Sequence, residues 1–92
     1  MSQYKVFETD NFIRAMGKIK GRNKTLIENK LKKSTYPQLK NEPYYGKNIK
    51  KLKNYKPETW RYRIGNYRAF YEINDIEKIV YMIGISTRQN AY

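Results

Sequence analysis

From Trp60 to Ile73 the chain alternates ring or aliphatic side chains with arginines across a Gly65-Asn66 pair, and few folds accept that pattern. Alternation over this length is the period of a half-buried β-strand. A two-residue connection containing Gly and Asn between two such runs is a hairpin turn. Strand side chains point to opposite faces in turn, so the hairpin sends Trp60, Tyr62, Ile64, Tyr67, Ala69, Tyr71 and Ile73 to one face. Arg61, Arg63, Arg68, Phe70 and Glu72 go to the other. Guanidinium groups clustered on a rigid sheet suit phosphate, because each planar fork holds two oxygens and stays charged at physiological pH. The pattern implies a polyanionic ligand, nucleic acid in the first place.

The rest of the chain supplies a cover for the apolar face. Tyr4 to Glu8 alternate as a first strand, and Thr9 or Asp10 can cap a helix in which Phe12, Met16 and Ile19 form one stripe. Gly21 is expected to end that helix. A second helix runs from about Asn23, with Leu26, Ile27, Lys30 and Leu31 on neighbouring positions of one face, and stops before Pro37. The short turn between them predicts an antiparallel helical hairpin. Pro37 to Pro57 reads as a lysine-rich loop with a short strand near Ile49 to Leu52, and a last strand spans Lys78 to Ile85. In that strand Ile79, Tyr81, Ile83 and Ile85 are expected on the core side, with Arg88 continuing the register of Met82, Gly84 and Ser86 on the open side. The fold class is α+β: an N-terminal strand, a helical hairpin, then three to four antiparallel strands whose sheet carries the helices on one face.

Composition narrows the function. Within 92 residues, enough for one domain spanning residues 1–92, 20 Lys and Arg face 8 Asp and Glu, and the net charge of +12 attracts polyanions. An acidic protein would answer that charge as well as RNA or DNA. Cysteine and histidine are both absent, which removes disulfides, thiolate metal sites, the commonest zinc ligand and the usual imidazole acid/base. No cofactor or metal is expected. The longest apolar run, Ile79 to Ile85, is a strand's length, far below the roughly 20 residues of a bilayer span, and the polar N-terminus lacks a signal-peptide core. A cytoplasmic protein that makes no membrane contact is the expectation.

The strand, the helical hairpin, the stretch from Leu52-Lys53 through Trp60-Arg-Tyr-Arg-Ile-Gly-Asn-Tyr-Arg-Ala-Phe-Tyr-Glu-Ile73, and the terminal Ile83-Gly-Ile-Ser-Thr-Arg-Gln-Asn-Ala-Tyr92 together resemble the RelE/ParE superfamily of type II toxin-antitoxin toxins. The similarity covers the whole chain and is strongest from Leu52 to Ile73. It implies a compact sheet whose concave face carries the active residues. RelE-like members cleave mRNA in the ribosomal A site, whereas ParE-like members poison DNA gyrase. By position, the resemblance makes Arg61 and Arg63 the paired basic residues of the RelE-like strand, Arg68 the arginine of the Gly-Tyr-Arg motif, Arg88 the arginine after the last strand, and Tyr92 the C-terminal tyrosine. Relatives often carry histidine before that last arginine, where this chain has Thr87. The implied partners are a cognate acidic antitoxin, the ribosome with its mRNA, and operator DNA only through the antitoxin complex.

RNA cleavage makes its own demands. The 2′-hydroxyl is an internal nucleophile, so the reaction needs a base for its proton, cations for the pentavalent phosphorane and an acid for the departing 5′-oxygen. Arginines meet the second need and fail the first, since their pKa lies above about 12. The candidates for base are Glu72, a lysine such as Lys51 or Lys53, and Tyr92. Lys51 and Lys53 also suit steering of RNA, and Phe70 and Tyr92 suit stacking on an exposed base. Three functions therefore compete: a ribosome-dependent, metal-independent endoribonuclease toxin, a ParE-like gyrase inhibitor, and an inactive antitoxin-binding corepressor.

Overall fold

The computed structural model describes residues 3–87. Along the chain lie β1 (Lys5–Glu8), α1 (Asp10–Gly17), α2 (Gly21–Lys30), a π-helical turn (Leu31–Thr35), α3 (Tyr36–Asn41), β2 (Ile49–Lys51), β3 (Trp60–Ile64), β4 (Tyr67–Asn74) and β5 (Ile79–Thr87). The strands form one sheet in the order β1-β5-β4-β3-β2. β1 joins β5 in parallel, and every other neighbour pair is antiparallel. This is the expected α+β arrangement.

Local chemistry explains the helices and where they depart from expectation. Thr9 caps α1, its Oγ1 accepting from the Phe12 N–H at 3.3 Å and donating to the Met82 carbonyl at 2.7 Å. One hydroxyl thus starts the helix and ties it to β5. α1 ends at Gly17 and not at Gly21, because the Lys18 and Ile19 N–H groups close back on Ala15 and Met16 in a tightened last turn. Gly21 opens α2 instead, with a φ of +67° that an L side chain rarely takes. The second helix also overruns its expected stop. Pro37 has no N–H, and its ring would clash with a carbonyl one turn back. The Leu31–Thr35 segment avoids this by widening into a π turn, closed by the Tyr36 N–H on the Leu31 carbonyl. Pro37 then lies in the first turn of α3, where it is tolerated.

Phe12, Met16, Ile27, Leu31 and Leu39 from the helices meet Tyr62, Ile64, Ala69 and Tyr71 from the hairpin in a single core. The hairpin faces are as expected. The last strand is not: Val80 and Met82 are fully buried and Tyr81 is partly exposed, the reverse of the expected parity. Between Gly84, opposite Phe70, and Met82, opposite Tyr71, Ile83 is an extra residue. This β-bulge restores Ile85 to the core side. A run apolar at every position carries no period-2 signal, so neither parity nor bulge was legible there.

Candidate functional site

The β3–β4 hairpin turns at Gly65, whose φ of +57° is the left-handed value a two-residue turn requires. Ile64 then pairs with Tyr67, which places Arg63 directly opposite Arg68 and Arg61 opposite Phe70. The Arg63 N–H donates away from β4, to the Asn48 carbonyl at 3.0 Å. Arg63 and Arg68 are therefore a non-hydrogen-bonded pair, the kind whose Cα atoms approach to about 4.5 Å and whose side chains stand closest. Like charges directly opposed in this way are destabilising unless an anion joins them.

Arg61 completes the cluster. Its Nη1 donates to the same Asn48 carbonyl at 3.1 Å. Burial first, then the neighbouring Arg68 and Arg63 charges, hold its pKa below the ordinary guanidinium value, though a guanidinium remains cationic at neutral pH. On its other side Arg61 stands beside Lys50 of β2. A cavity of about 300 Å3 opens here, bordered by Lys50, Lys53, Arg61 and Arg68 and by the Lys51-Leu52 segment between the lysines. The ion pairs among the described residues are Lys51–Glu58 at 3.1 Å and Lys78–Asp75 at 3.2 Å, and neither reaches these arginines.

The remaining candidates divide. Lys53 borders the cavity and is exposed. Lys51 is in register with Trp60, on the opposite face from Arg61; its ammonium is held by Glu58 and lies 6.0 Å from the Trp60 ring centre. The lysine on the arginine face is Lys50. Parity had the means to find it, because the apolar Ile49 must point inward and turns Lys50 outward. Glu72 pairs with Tyr81 and opens on a different cavity, shared with Asp75 and Ile76, with the Phe70 row between it and Arg68. Phe70 is a correction: only 3% exposed, it is buried beside Ala15 and Gly84 and offers no stacking surface to a base. Arg88 and Tyr92 lie outside the described residues.

The far end of the sheet is built differently. Asp75, in the β4–β5 turn, accepts from the hydroxyls of Tyr4 and, at 3.3 Å, Tyr44, and pairs with Lys78, whose ammonium also sits 5.0 Å from the Tyr4 ring centre. Tyr44 in turn packs edge-on against Trp60, ring centres 5.3 Å apart. The Tyr4 hydrogen bond, ahead of Lys78, holds the Asp75 carboxyl below its usual pKa, while the same bond pushes the Tyr4 phenol up to about 12. Tyr44 is also raised to about 12, by burial and then the Asp75 charge.

Residues 13–92 match the family model described as the ParE toxin of the type II toxin-antitoxin system parDE. No curated protein matches the chain. Among solved structures, the toxin-antitoxin complex RelBE2 of Mycobacterium tuberculosis superposes with a TM-score of 0.75 at 24% identity, over 98% of this chain and 97% of that one. The RelE-RelB complex of Pyrococcus horikoshii gives 0.69 at 20% identity over 97% and 99%. A mutant of Escherichia coli RelE in the free state gives 0.68 at 16% over 97% and 87%. At these identities the structures establish a shared fold. The family match spans most of the chain, which therefore belongs to the ParE-toxin family of type II toxin-antitoxin systems, within the RelE/ParE superfamily and on a RelE-like fold.

Proposed function

We propose that this toxin is a ribosome-dependent endoribonuclease that binds mRNA at the Arg61-Arg63-Arg68 cluster and promotes attack of a 2′-hydroxyl on the adjacent phosphorus. The observation that carries the reading is the basic cavity itself: Arg61, Arg68 and three lysines line it, Arg63 stands opposite Arg68, and among the described residues no carboxylate is in the lining. Such an array favours the phosphorane, whose charge exceeds that of the starting phosphodiester, and RNA supplies its own nucleophile without a metal. The Lys51 ammonium is held by Glu58 and Glu72 opens on a different cavity, so the proton acceptor is Lys53, Tyr92 or a ribosomal group that aligns the codon. Arg88 and Tyr92 complete the site, and the toxin acts where ribosomes are, in the cytoplasm. An acidic antitoxin segment holds it inactive by covering the basic face, where charge complementarity speeds and directs association.

The family model's description favours one second reading, a gyrase poison acting by protein contact. Induced expression with mapping of mRNA ends separates the two. Codon-phased cuts, lost in Arg68→Ala and Arg88→Ala variants that keep their melting midpoint, support the nuclease. DNA breaks without such cuts replace it with the gyrase reading, and an absence of toxicity overturns both.

A further inference from the structure

We infer that Gln38, on α3 and outside the basic cavity, is a positioning residue for Arg61. The inference rests on the reading of Arg61 as a phosphate-binding group. Arg61 is aimed by the Asn48 carbonyl, a neutral acceptor that fixes one donor of the fork without cancelling its charge. A carboxylate at that place would orient the guanidinium more strongly and neutralise it. The site thus needs a carbonyl in a fixed place, and a carbonyl is only as fixed as its loop.

Residues 42–48 form that loop, and Gln38 is its clamp. The Gln38 Nε2 donates to two carbonyls of the loop, Glu42 and Tyr45, each at 3.0 Å. The Glu42 N–H closes back on the Gln38 carbonyl at 2.8 Å, and the Ile49 N–H on the Gly46 carbonyl at 3.1 Å. Gly46 fits because a Cβ there would stand 3.0 Å from Ile49 Cδ1 and 3.2 Å from Gln38 Nε2. Asn48 lies two residues on, inside the turn that the Gly46–Ile49 bond closes, and its carbonyl receives both the Arg61 Nη1 and the Arg63 N–H. The path from α3 to the guanidinium therefore runs through one tight loop, pinned by hydrogen bonds on either side of Asn48 and joined by short steps of backbone. It also gives a purpose to the π turn, which lets the helix pass Pro37 and deliver Gln38.

The test uses Gln38→Met, which keeps length and charge and removes both donors, in protein labelled with 15N-arginine. With the clamp in place the Arg61 guanidinium turns slowly about its Cζ–Nε bond and its Nη signals are resolved; the Arg61→Ala variant assigns them. Gln38→Met should average those signals. It should also lower affinity for a short single-stranded RNA by about three- to tenfold, the worth of one neutral hydrogen bond. In the Arg61→Ala background the same substitution should change affinity less than twofold, by the logic of a double-mutant cycle. An equal loss in both backgrounds, or Arg61 signals unmoved in Gln38→Met, overturns the inference. A wild-type protein with no RNA affinity defeats the functional reading instead, and the Arg61 signals still decide the role of Gln38.

Discussion

At the β4–β5 turn one carboxylate, Asp75, is shared by Tyr4, Tyr44 and Lys78, whereas on the β3–β4 hairpin Arg61 and Arg63 share one backbone carbonyl and Arg68 stands opposite Arg63. The first region spends its charge on holding the N-terminal strand, the 42–48 loop and the hairpin turn together. In the second, compensation is withheld. The chain has only 8 carboxylates for 20 cations. Several of them are engaged away from the hairpin: Glu58 on Lys51, Glu8 on the Tyr36 hydroxyl, Glu42 on the Tyr44 N–H. What the contrast teaches is that the basic cluster is not a by-product of composition. Neutralising it would stabilise the free protein, and the fold directs its acids elsewhere.

The largest expected effect breaks the comparison on the arginine side. Arg68→Ala should lower cleavage, and with it growth inhibition, by about 100-fold or more, the scale of removing one preorganised transition-state donor. Its melting midpoint should stay level or rise, because the substitution removes a like charge from directly opposite Arg63. Loss of both stability and activity would make Arg68 a structural residue and erase the distinction between the two regions. Purified protein, thermal melts and reporter-message mapping suffice for this.

Next in size is the salt response of RNA binding. If Arg61, Arg63 and Arg68 each neutralise one phosphate of a single strand, the logarithm of affinity should fall with that of salt at a slope of about −2. Affinity should then drop roughly 20-fold between 50 and 200 mM. Arg63→Gln should flatten the slope by about 0.7. Lys78→Gln, at the compensated end, should leave it unchanged. Equal changes at both ends would mean that the binding is diffuse and that the cluster is not a site.

How much of this was legible in the sequence follows the same division. The hairpin, its Gly65 turn and the shared face of Arg61, Arg63 and Arg68 were readable because polar and apolar residues alternate there without ambiguity. Lys50 was within reach of the same rule, through Ile49. Phe70 was misplaced because parity tells which side a residue takes and not what covers it: α1 lies close enough for Ala15 to share its cavity. The parity of β5 was hidden by an unbroken apolar run, and the passage through Pro37 by a π turn that no local pattern announces. Asn48 acts through its backbone carbonyl, which leaves no trace in residue type, and the Gln38 amide acts on backbone carbonyls of a loop that no spacing points to. The Asp75 cluster joins residues 71 positions apart, at Tyr4 and Asp75, and only the sheet order brings them together.

A smaller effect tests the other side of the comparison. Tyr4→Phe keeps the ring against Tyr44 and the Lys78 ammonium but removes the hydroxyl from Asp75. The melting midpoint should fall by a few degrees while growth inhibition persists at equal protein level. A variant that melts as the wild type but loses toxicity would show that the aromatic end takes part in function, and the contrast between fastening and binding would fail.

The smallest effect is in pH, where the two regions should differ in kind. Asp75 has a lowered pKa in the fold, so its contribution to stability is complete above the ordinary aspartate value near 4 and is lost as pH falls through the lower folded value. Tyr4 moves the opposite way. Raised to about 12, it contributes fully below its unfolded value of 10 and loses that contribution as pH climbs from 10 to 12. The arginine cluster contributes no slope in the acid window, since guanidiniums do not titrate there. Asp75→Asn should therefore flatten the acid side of the stability profile, while Arg68→Ala should shift the whole profile without changing its shape. Chemical denaturation at pH 3, 5 and 7 reads both. A changed acid slope in Arg68→Ala would reveal a carboxylate engaged with the cluster, and the separation of compensated from uncompensated charge would have to be abandoned.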